Sequence, residues 1–225
     1  MIGALDIARA KNRRPTAAGT LILTFGLLLA PAAQAELGTP QLGQVHKWIC
    51  NAKGDLPTSY VTKVLAIEDG LLIMEEQVDR KIGRLEVPLG LQGLHLYSLR
   101  VLPEGRGERR QTFDPAIFAG YTALEPGAEM TTDVEETDGK ETWTWRYSVK
   151  VGQPKLVTQD LLGEVEVIPV TEERWIYRET QGTSYQFTVV PDRSLVLNWR
   201  YQTPEGEHFC DLYLSYRKKV RQTTE

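Results

Sequence analysis

Residues that commonly carry out chemistry are scarce in this chain. Its 225 residues include two cysteines and three histidines. No histidine stands four residues from another, which excludes an H-E-x-x-H zinc helix. The sequence also has no C-x-x-C pair, no G-x-S-x-G elbow and no glycine-rich phosphate loop. We therefore predict a non-enzymatic protein with no catalytic residues, no metal site and no cofactor.

The N-terminus carries the features of a secretory signal peptide. Four basic residues between positions 9 and 14 precede an apolar stretch at residues 17–30, and Ala33-Gln34-Ala35 forms a small-x-small cleavage site. The apolar stretch of about 14 residues is too short to span a bilayer as a helix. We predict that residues 1–35 are removed and that residues 36–225 form a single β-rich domain in the periplasm or outside the cell, without a transmembrane segment.

Positive charge is under-represented in the predicted mature chain. Residues 1–35 hold four of the 26 basic residues and one of the 30 acidic residues, which leaves 22 basic and 29 acidic residues. A net negative domain is a poor candidate for nucleic-acid binding. In an oxidising compartment, Cys50 and Cys210 are expected to form a disulfide. Two free buried thiols are the alternative, ahead of a reactive cysteine.

Sustained helical periodicity is absent, and alternation of apolar and polar residues takes its place. From Trp143 to Val151 every odd position is apolar, and similar alternation recurs at residues 185–189, 195–201 and 210–216. Turn residues separate the runs, and Asp138-Gly139 predicts a two-residue hairpin loop. The pattern predicts an all-β fold: a curved antiparallel meander of about ten strands that forms a half-barrel or barrel-like sheet, with a sandwich as the alternative.

The N-terminal half of the domain shows weaker signals. Residues 59–67 and 71–78 predict a hairpin around Glu68-Asp69-Gly70, and residues 84–88 and 95–102 predict two more strands. We interpret His95 as a strand histidine with a hydrogen-bond partner. Residues 106–127 break the alternation and predict a long loop with one helical turn near Pro115.

Aromatic side chains on successive strands are the one feature typical of a binding site. If neighbouring strands pair, these rings share one face of the sheet. The candidate ligand-binding residues are Trp143, Trp145, Tyr147, Trp175, Tyr185, Phe187, Trp199 and Tyr201. They form either a filled core or part of the wall of a cavity for an apolar ligand, and the sequence does not decide between the two.

Two short stretches resemble known envelope proteins. The run Gly163-Glu164-Val165-Glu166-Val167-Ile168-Pro169-Val170, and a final strand that ends Leu212-Tyr213-Leu214-Ser215-Tyr216-Arg217, resemble the TapB-like secreted bacterial β-proteins of unknown function. The layout of residues 140–217 is also distantly similar to the half-barrels of LolA and LolB. The resemblance implies a curved antiparallel sheet in the cell envelope, and the LolA and LolB similarity implies an apolar cavity.

These observations favour a periplasmic protein that binds an apolar or lipid-like ligand, or a partner chain of the envelope, on its aromatic face. The first alternative is a structural or assembly factor with a filled core. The second is a hydrolase assembled from dispersed residues such as His95, His208 and Asp211.

Overall fold

A computed structural model describes residues 37–52, 57–176, 182–193, 195–203 and 206–217. The predicted signal peptide lies outside these residues, so its removal and the start of the mature domain stay predictions. Within the described ranges, no helix is long and apolar enough to cross a membrane.

The described residues form thirteen antiparallel strands in one sheet. The strands are β1 (Gln44–Ala52), β2 (Thr58–Glu68), β3 (Leu71–Val78), β4 (Lys81–Pro88), β5 (Leu99–Val101), β6 (Glu108–Thr112), β7 (Glu129–Thr137), β8 (Thr142–Val151), β9 (Lys155–Gln159), β10 (Gly163–Ile176), β11 (Thr183–Val190), β12 (Leu195–Thr203) and β13 (Gly206–Arg217). Three short 3-10 helices lie at Pro103–Gly105, Pro115–Phe118 and Pro191–Arg193, and helix α1 covers Ala119–Thr122.

The sheet closes into a barrel of twelve strands. Each strand pairs with its neighbour in the chain, except that β8 pairs with β10, and β13 returns to pair with β1. The second half of β10 also pairs with β11, from Ile168↔Val189 to Arg174↔Thr183, which closes the ring. The first half of β10 pairs with β9, the one strand outside the ring in the described residues. Closure satisfies backbone groups that an open sheet would leave unpaired at its edges. The predicted all-β barrel-like meander is thus confirmed, with thirteen strands in place of about ten.

Local turn chemistry explains the hairpins, with one correction. At the predicted β2–β3 hairpin, Asp69 and Gly70 both have positive φ (49° and 75°), which matches the right-handed twist of the strands. The predicted two-residue loop at Asp138-Gly139 is wrong, because Thr137 pairs with Thr142 and four residues form the loop. The Asp138 side chain accepts hydrogen bonds from the main-chain N–H groups of Lys140 and Glu141, and these bonds stabilise the longer turn.

Two connections fold into one end of the barrel. We call residues 89–98 and 113–124 the inner plug. Leu91 and Leu96 are 1% exposed, Phe118 and Tyr121 are fully buried, and the Tyr121 hydroxyl donates to the Gln92 carbonyl at 2.9 Å. The predicted strand at residues 95–102 is therefore wrong at its start, because only Leu99–Val101 pair in the sheet. The predicted helical turn near Pro115 is confirmed, whereas strand β6 was not predicted within the loop at residues 106–127.

The main hydrophobic core joins the inner plug to the inward faces of β7, β8, β10 and β11. Val149, Val151 and Val170 of the wall pack in the same cluster as Phe118 and Tyr121 of the plug. A second cluster places Val165 and Val167 from the first half of β10 beside Leu197 and Leu212. The plug and the core fill one end of the barrel and leave space toward the other.

Candidate ligand-binding cavity

A cavity of about 670 Å³ lies inside the barrel, next to the inner plug. Leu94, His95 and Leu96 of the plug border it on one side. Asn51, Thr58 and Val78, beside the β1–β2 and β3–β4 hairpins, border it toward the opposite end. This volume falls within the usual range for small-molecule sites in proteins.

One part of the cavity wall is aromatic and apolar. Trp48, Tyr60 and Trp199 project inward from β1, β2 and β12, with ring centroids 5.0 Å apart for the two tryptophans and 5.4–5.6 Å from each tryptophan to Tyr60. The Trp48 Nε1–H donates to the Val196 carbonyl at 2.9 Å, which fixes the indole. The apolar surface is extended by Val64, Leu72, Met74, Leu85 and Phe187.

A row of neighbouring rings crosses the next part of the wall. Tyr185, Tyr201 and His208 stand at paired positions of β11, β12 and β13. Their ring centroids lie 5.3 Å apart for the two tyrosines and 4.6 Å apart for Tyr201 and His208. His95 of the inner plug extends the row, with its ring centroid 4.0 Å from that of Tyr185. The row connects the plug to the last hairpin of the barrel.

The remaining wall carries two buried carboxylates, each held by an arginine. Arg100 contacts Glu76 through two hydrogen bonds of 2.9 and 3.0 Å, and the Tyr60 hydroxyl donates to the same carboxylate at 3.0 Å. Arg109 lies 3.1 Å from Glu136. Glu136 also accepts hydrogen bonds of 2.9 Å from the Tyr97 hydroxyl and from the side-chain amide of Gln111. Buried charges are tolerated when they are paired and hydrogen-bonded in this way.

These carboxylates change the acidity of their tyrosine partners. Burial is the largest cause that raises the pKa of the Tyr60 and Tyr97 hydroxyls, and the negative charges of Glu76 and Glu136 raise it further. Burial alone would lower the pKa of Arg100, but the charge of Glu76, its hydrogen bonds and the neighbouring Tyr60 and Tyr97 together outweigh burial, and the pKa is raised. Both tyrosines therefore stay protonated and act as hydrogen-bond donors.

A third polar centre lies where β8, β10 and the inner plug meet. Glu172 is fully buried and accepts hydrogen bonds from the His95 main-chain N–H at 3.0 Å and from its Nδ1 at 3.2 Å. Burial alone would raise the pKa of the Glu172 carboxyl, but the neighbouring His95 and, to a smaller extent, Arg174 outweigh it, so that the pKa is lowered. Glu172 thus anchors the plug to the barrel wall as a carboxylate.

Arg174 occupies the next inward position of β10. Its guanidinium carbon lies 5.4 Å from the ring centroid of Trp145 and 4.8 Å from that of Tyr185, so it is held between two aromatic rings. One terminal N–H group donates to the Tyr185 hydroxyl. Among the described residues, four buried side-chain atoms of this cluster form no hydrogen bond: Arg174 Nε, Trp145 Nε1, the Tyr147 hydroxyl and Glu172 Oε1. Glu172 Oε1 nevertheless lies 3.0 Å from His95 Nδ1.

The structure brings most of the predicted aromatic residues to the cavity. Trp145, Tyr185, Phe187, Trp199 and Tyr201 line it. Tyr147 is 2% exposed and packs in the main core beside Phe118, with ring centroids 6.0 Å apart. Trp143 is half-buried, and its ring lies 5.8 Å from the guanidinium carbon of Arg109.

Trp175 does not share this face. Its neighbour Arg174 lines the cavity, and side chains alternate along a strand, so Trp175 projects to the other side of the sheet. Trp175 pairs with the exposed Arg146 of β8 and borders a smaller pocket that Arg174, Thr183 and Ser184 also line. Our expectation that Trp175 joins the aromatic face is therefore wrong. The physical reason is that Val167 and Ile168 are both buried, so the inward-facing positions of β10 change there from odd to even residue numbers.

The charged residues of the cavity were missed by the sequence analysis. A signal is nevertheless present, because Glu76 and Glu172 stand at positions that alternation assigns to the apolar face, after Leu72 and Met74 in β3 and after Val170 in β10. A charged residue in an otherwise apolar row indicates a buried polar network or a site.

The predicted disulfide is confirmed. Cys50 and Cys210 are bonded and face each other in the β1–β13 register, with Cα atoms 3.9 Å apart. The residues suggested for a hydrolase are not brought together. His95 and His208 line the cavity, whereas Asp211 is exposed and alternates with the inward-facing Cys210. In the part of the chain that the structure describes, no group of three or more His, Cys, Asp or Glu residues is arranged to hold a metal ion.

Comparisons with known proteins find only weak similarity, to solved structures of bacterial proteins. No family model matches the chain, and no curated protein matches it. The hypothetical lipoprotein YmcC from Escherichia coli K12 is 15% identical, with 75% of this chain and 82% of that chain covered and a TM-score of 0.44.

Two further solved structures are similar. A Bacteroides fragilis protein assigned as exported, with a YmcC-like fold, is 11% identical over 81% of this chain and 100% of its own (TM-score 0.41). A Parabacteroides distasonis protein assigned as a lipoprotein is 9% identical over 80% and 97% (TM-score 0.42). The resemblance of residues 140–217 to TapB-like proteins and to LolA and LolB stays a prediction.

Proposed function

We propose that this protein works outside the cytoplasm, in the cell envelope, as a non-enzymatic carrier or receptor that holds a largely apolar small molecule inside its barrel. The cavity of about 670 Å³ is the observation that carries the proposal. Protein interiors are packed as densely as organic crystals, and voids much larger than a water molecule are few. A cavity of this size is therefore better explained as a binding site than as a packing defect.

The composition of the wall supports an apolar occupant. Trp48, Tyr60 and Trp199 form a contiguous aromatic surface, and aliphatic side chains continue it along β2, β3 and β4. Aromatic walls contribute large contact areas with little loss of side-chain freedom. The carboxylates Glu76 and Glu136 are each occupied by an arginine and a tyrosine, so they support the wall and do not offer a free acid or base.

A filled-core assembly factor is less well supported. That alternative predicts that rings from opposite strands meet and leave no internal space. Trp145 and Trp199 instead both border the cavity. A partner chain would then have to act on the outer surface of the barrel.

The proposal is tested with the neutral fluorophore N-phenyl-1-naphthylamine on delipidated protein. We expect saturable binding with increased probe fluorescence, and a higher midpoint of thermal unfolding. Ligand at a hundredfold excess over Kd adds about 2.7 kcal/mol to the free energy of unfolding. For a domain of this size that free energy corresponds to about 5–11 °C.

A cavity-filling variant supplies the specific control. Met74 lines the cavity, whereas Ile73 next to it projects to the other face of β3. We expect Met74→Trp to abolish probe binding and Ile73→Trp to leave it unchanged, with both proteins folded by circular dichroism. Equal binding by the two variants, or no binding by the wild type, would overturn the proposed function.

A further inference from the structure

Two of the positive charges on the cavity wall are compensated by direct contact. Arg100 lies 2.9 Å from Glu76, and Arg109 lies 3.1 Å from Glu136. All four residues line the cavity, so each cation is presented to a ligand together with its own anion. A charged ligand group of either sign would therefore meet an attractive and a repulsive partner at similar distances.

The third arginine of the wall, Arg174, is balanced by a carboxylate behind it. Glu172 stands two positions before Arg174 on the same face of β10 and is fully buried. With Glu172 included, three arginines and three carboxylates surround the cavity. His46 also lines it and adds no charge near neutral pH, because burial lowers its pKa to about 4. The wall therefore holds no excess of arginine or carboxylate charge that would attract an ion.

The Tyr201 hydroxyl is a neutral polar group that a ligand can reach. Four tyrosines line the cavity: Tyr60, Tyr97, Tyr185 and Tyr201. The Tyr60 and Tyr97 hydroxyls donate to carboxylates, and the Tyr185 hydroxyl accepts from Arg174. Among the described residues, the Tyr201 hydroxyl has no hydrogen-bond partner, and it is not one of the fully buried atoms that lack one. It is therefore accessible from the cavity and free to donate or accept.

Neighbouring rings hold Tyr201 in place. Its ring is stacked on that of His208, with an interplanar angle of 5° and 4.6 Å between centroids, and lies 5.3 Å from the ring of Tyr185. Trp199 stands two positions before it on the same face of β12, which corresponds to about 7 Å along a strand. A molecule that lies against Trp199 can thus extend to the Tyr201 hydroxyl, which is already fixed before binding.

We infer that the ligand is an uncharged amphiphile whose apolar body lies along Trp48 and Trp199 and whose hydroxyl or carbonyl group is bound by Tyr201. The inference rests on the proposed function and deepens it. An ion brought into the barrel loses much of its hydration, and a wall without excess charge does not offset that loss. A neutral head group loses less, and the Tyr201 hydroxyl replaces one of its hydrogen bonds to water.

The test compares three probes with the same ten-carbon chain: 1-monodecanoylglycerol, decanoate and decyltrimethylammonium. Affinities are measured by isothermal titration calorimetry at pH 8, where an ordinary histidine is neutral. We expect the neutral probe to bind the wild type at least about tenfold more tightly than either ion, because an uncompensated buried charge costs at least that much. An ion that binds as tightly as the neutral probe would overturn the inference and leave the cavity function intact. Failure of all three probes and of N-phenyl-1-naphthylamine would refute the cavity function itself.

The variant that tests the head-group contact is Tyr201→Phe, with Tyr213→Phe as its matched control. Tyr213 is 59% exposed on β13, so its substitution removes the same hydroxyl from outside the cavity. We expect Tyr201→Phe to bind 1-monodecanoylglycerol about fivefold more weakly, as the loss of one hydrogen bond predicts, and to bind N-phenyl-1-naphthylamine as the wild type does. Tyr213→Phe should bind both as the wild type does. Unchanged affinity of Tyr201→Phe for the neutral amphiphile would contradict the assignment of Tyr201.

A second variant tests whether charge compensation excludes ions. Glu136→Gln keeps an oxygen that accepts from Tyr97 but leaves the Arg109 charge without its anion. We expect this variant to bind decanoate about tenfold more tightly than the wild type, because a hydrogen bond to a charged group contributes at least that much. Glu135→Gln is the matched control, since Glu135 is exposed at the next position of β7 and should change neither affinity. A folded Glu136→Gln protein that gains no affinity for decanoate would refute the inference, and if this variant does not fold, the probe comparison and Tyr201→Phe still decide.

Discussion

The Glu76–Arg100 pair provides a sharp test of how the cavity wall is held together. The side chain of Glu76 is 5% exposed, whereas that of Arg100 is 35% exposed. Arg100→Met therefore leaves a carboxylate inside the barrel with only the Tyr60 hydroxyl as its partner. Breaking a buried pair in this way costs about 3–5 kcal/mol. Because Arg100 is partly exposed, we expect a loss near the lower limit, about 3 kcal/mol.

The reverse substitution has a smaller effect. Glu76→Gln keeps an oxygen that accepts from Tyr60 and Arg100, and the guanidinium reaches water through its exposed side. We expect a loss of about 1 kcal/mol, typical of a weakened hydrogen bond. In the Arg100→Met background the same change removes the stranded charge, so it stabilises the protein by about 1 kcal/mol.

The sign reversal is measured by urea unfolding of the four proteins in a double-mutant cycle. The pair Arg84–Glu86, whose side chains are 49% and 19% exposed and whose N–O distance is 2.8 Å, is the less buried control. In this control, Glu86→Gln is expected to change the free energy of unfolding by less than about 0.5 kcal/mol, whether Arg84 is kept or replaced by methionine. If Glu76→Gln destabilises the Arg100→Met protein as well, our account of Glu76 as a buried, arginine-dependent carboxylate is refuted.

Three further predictions concern other parts of the barrel. Burial lowers the pKa of His46 to about 4, below its ordinary value of 6.5, so this group contributes stability above pH 6.5 that is lost as the pH falls toward 4. Between pH 6.5 and 4, the wild type should therefore lose about 3 kcal/mol more of its free energy of unfolding than His46→Gln, as measured by urea unfolding. The same pH dependence in both proteins would contradict this prediction. Replacing both Cys50 and Cys210 by alanine removes a disulfide that links residues 160 positions apart, and it should lower the free energy of unfolding by up to about 5 kcal/mol. An unchanged unfolding midpoint of the wild type under reducing conditions would show that the disulfide does not stabilise the fold. Gly93→Ala should destabilise the barrel and weaken binding of the neutral fluorophore. Gly93 has a φ of 96°, and a new Cβ would lie 2.9 Å from the Val196 side chain. Wild-type binding and stability in this variant would show that the inner plug adapts to the added methyl group.

Strand identity followed from local pattern with good precision where one face of a strand is buried. The prediction for residues 71–78 coincides with β3, and the alternation from Trp143 to Val151 corresponds to β8. The same reasoning failed at His95, because its segment is alternating and apolar but has no neighbouring strand. Its backbone N–H is satisfied by the carboxylate of Glu172, a residue 77 positions away. No local pattern contains that information.

In the candidate site, too, some residues were predictable from local pattern and others depend on distant contacts. Its aromatic residues were identified because rings at alternate positions are visible in the sequence, and Trp175 was misplaced because a shift of parity within β10 depends on how the strand divides its pairing between β9 and β11. The pairs Arg100–Glu76 and Arg109–Glu136 bring together residues 24 and 27 positions apart on different strands. Their pairing needs the register of the closed barrel, which charge composition alone does not specify.

The amino-acid sequence by itself determined an all-β meander, the turn at Asp69-Gly70 and two cysteines positioned to bridge the ends of the domain, because alternation, positive φ and cysteine count are local properties. Only the tertiary structure decided that the barrel is not completely filled. Whether inward side chains meet or enclose space depends on the number of strands in the ring and on how far the inner plug enters it. Both are set by contacts between residues distant in the chain.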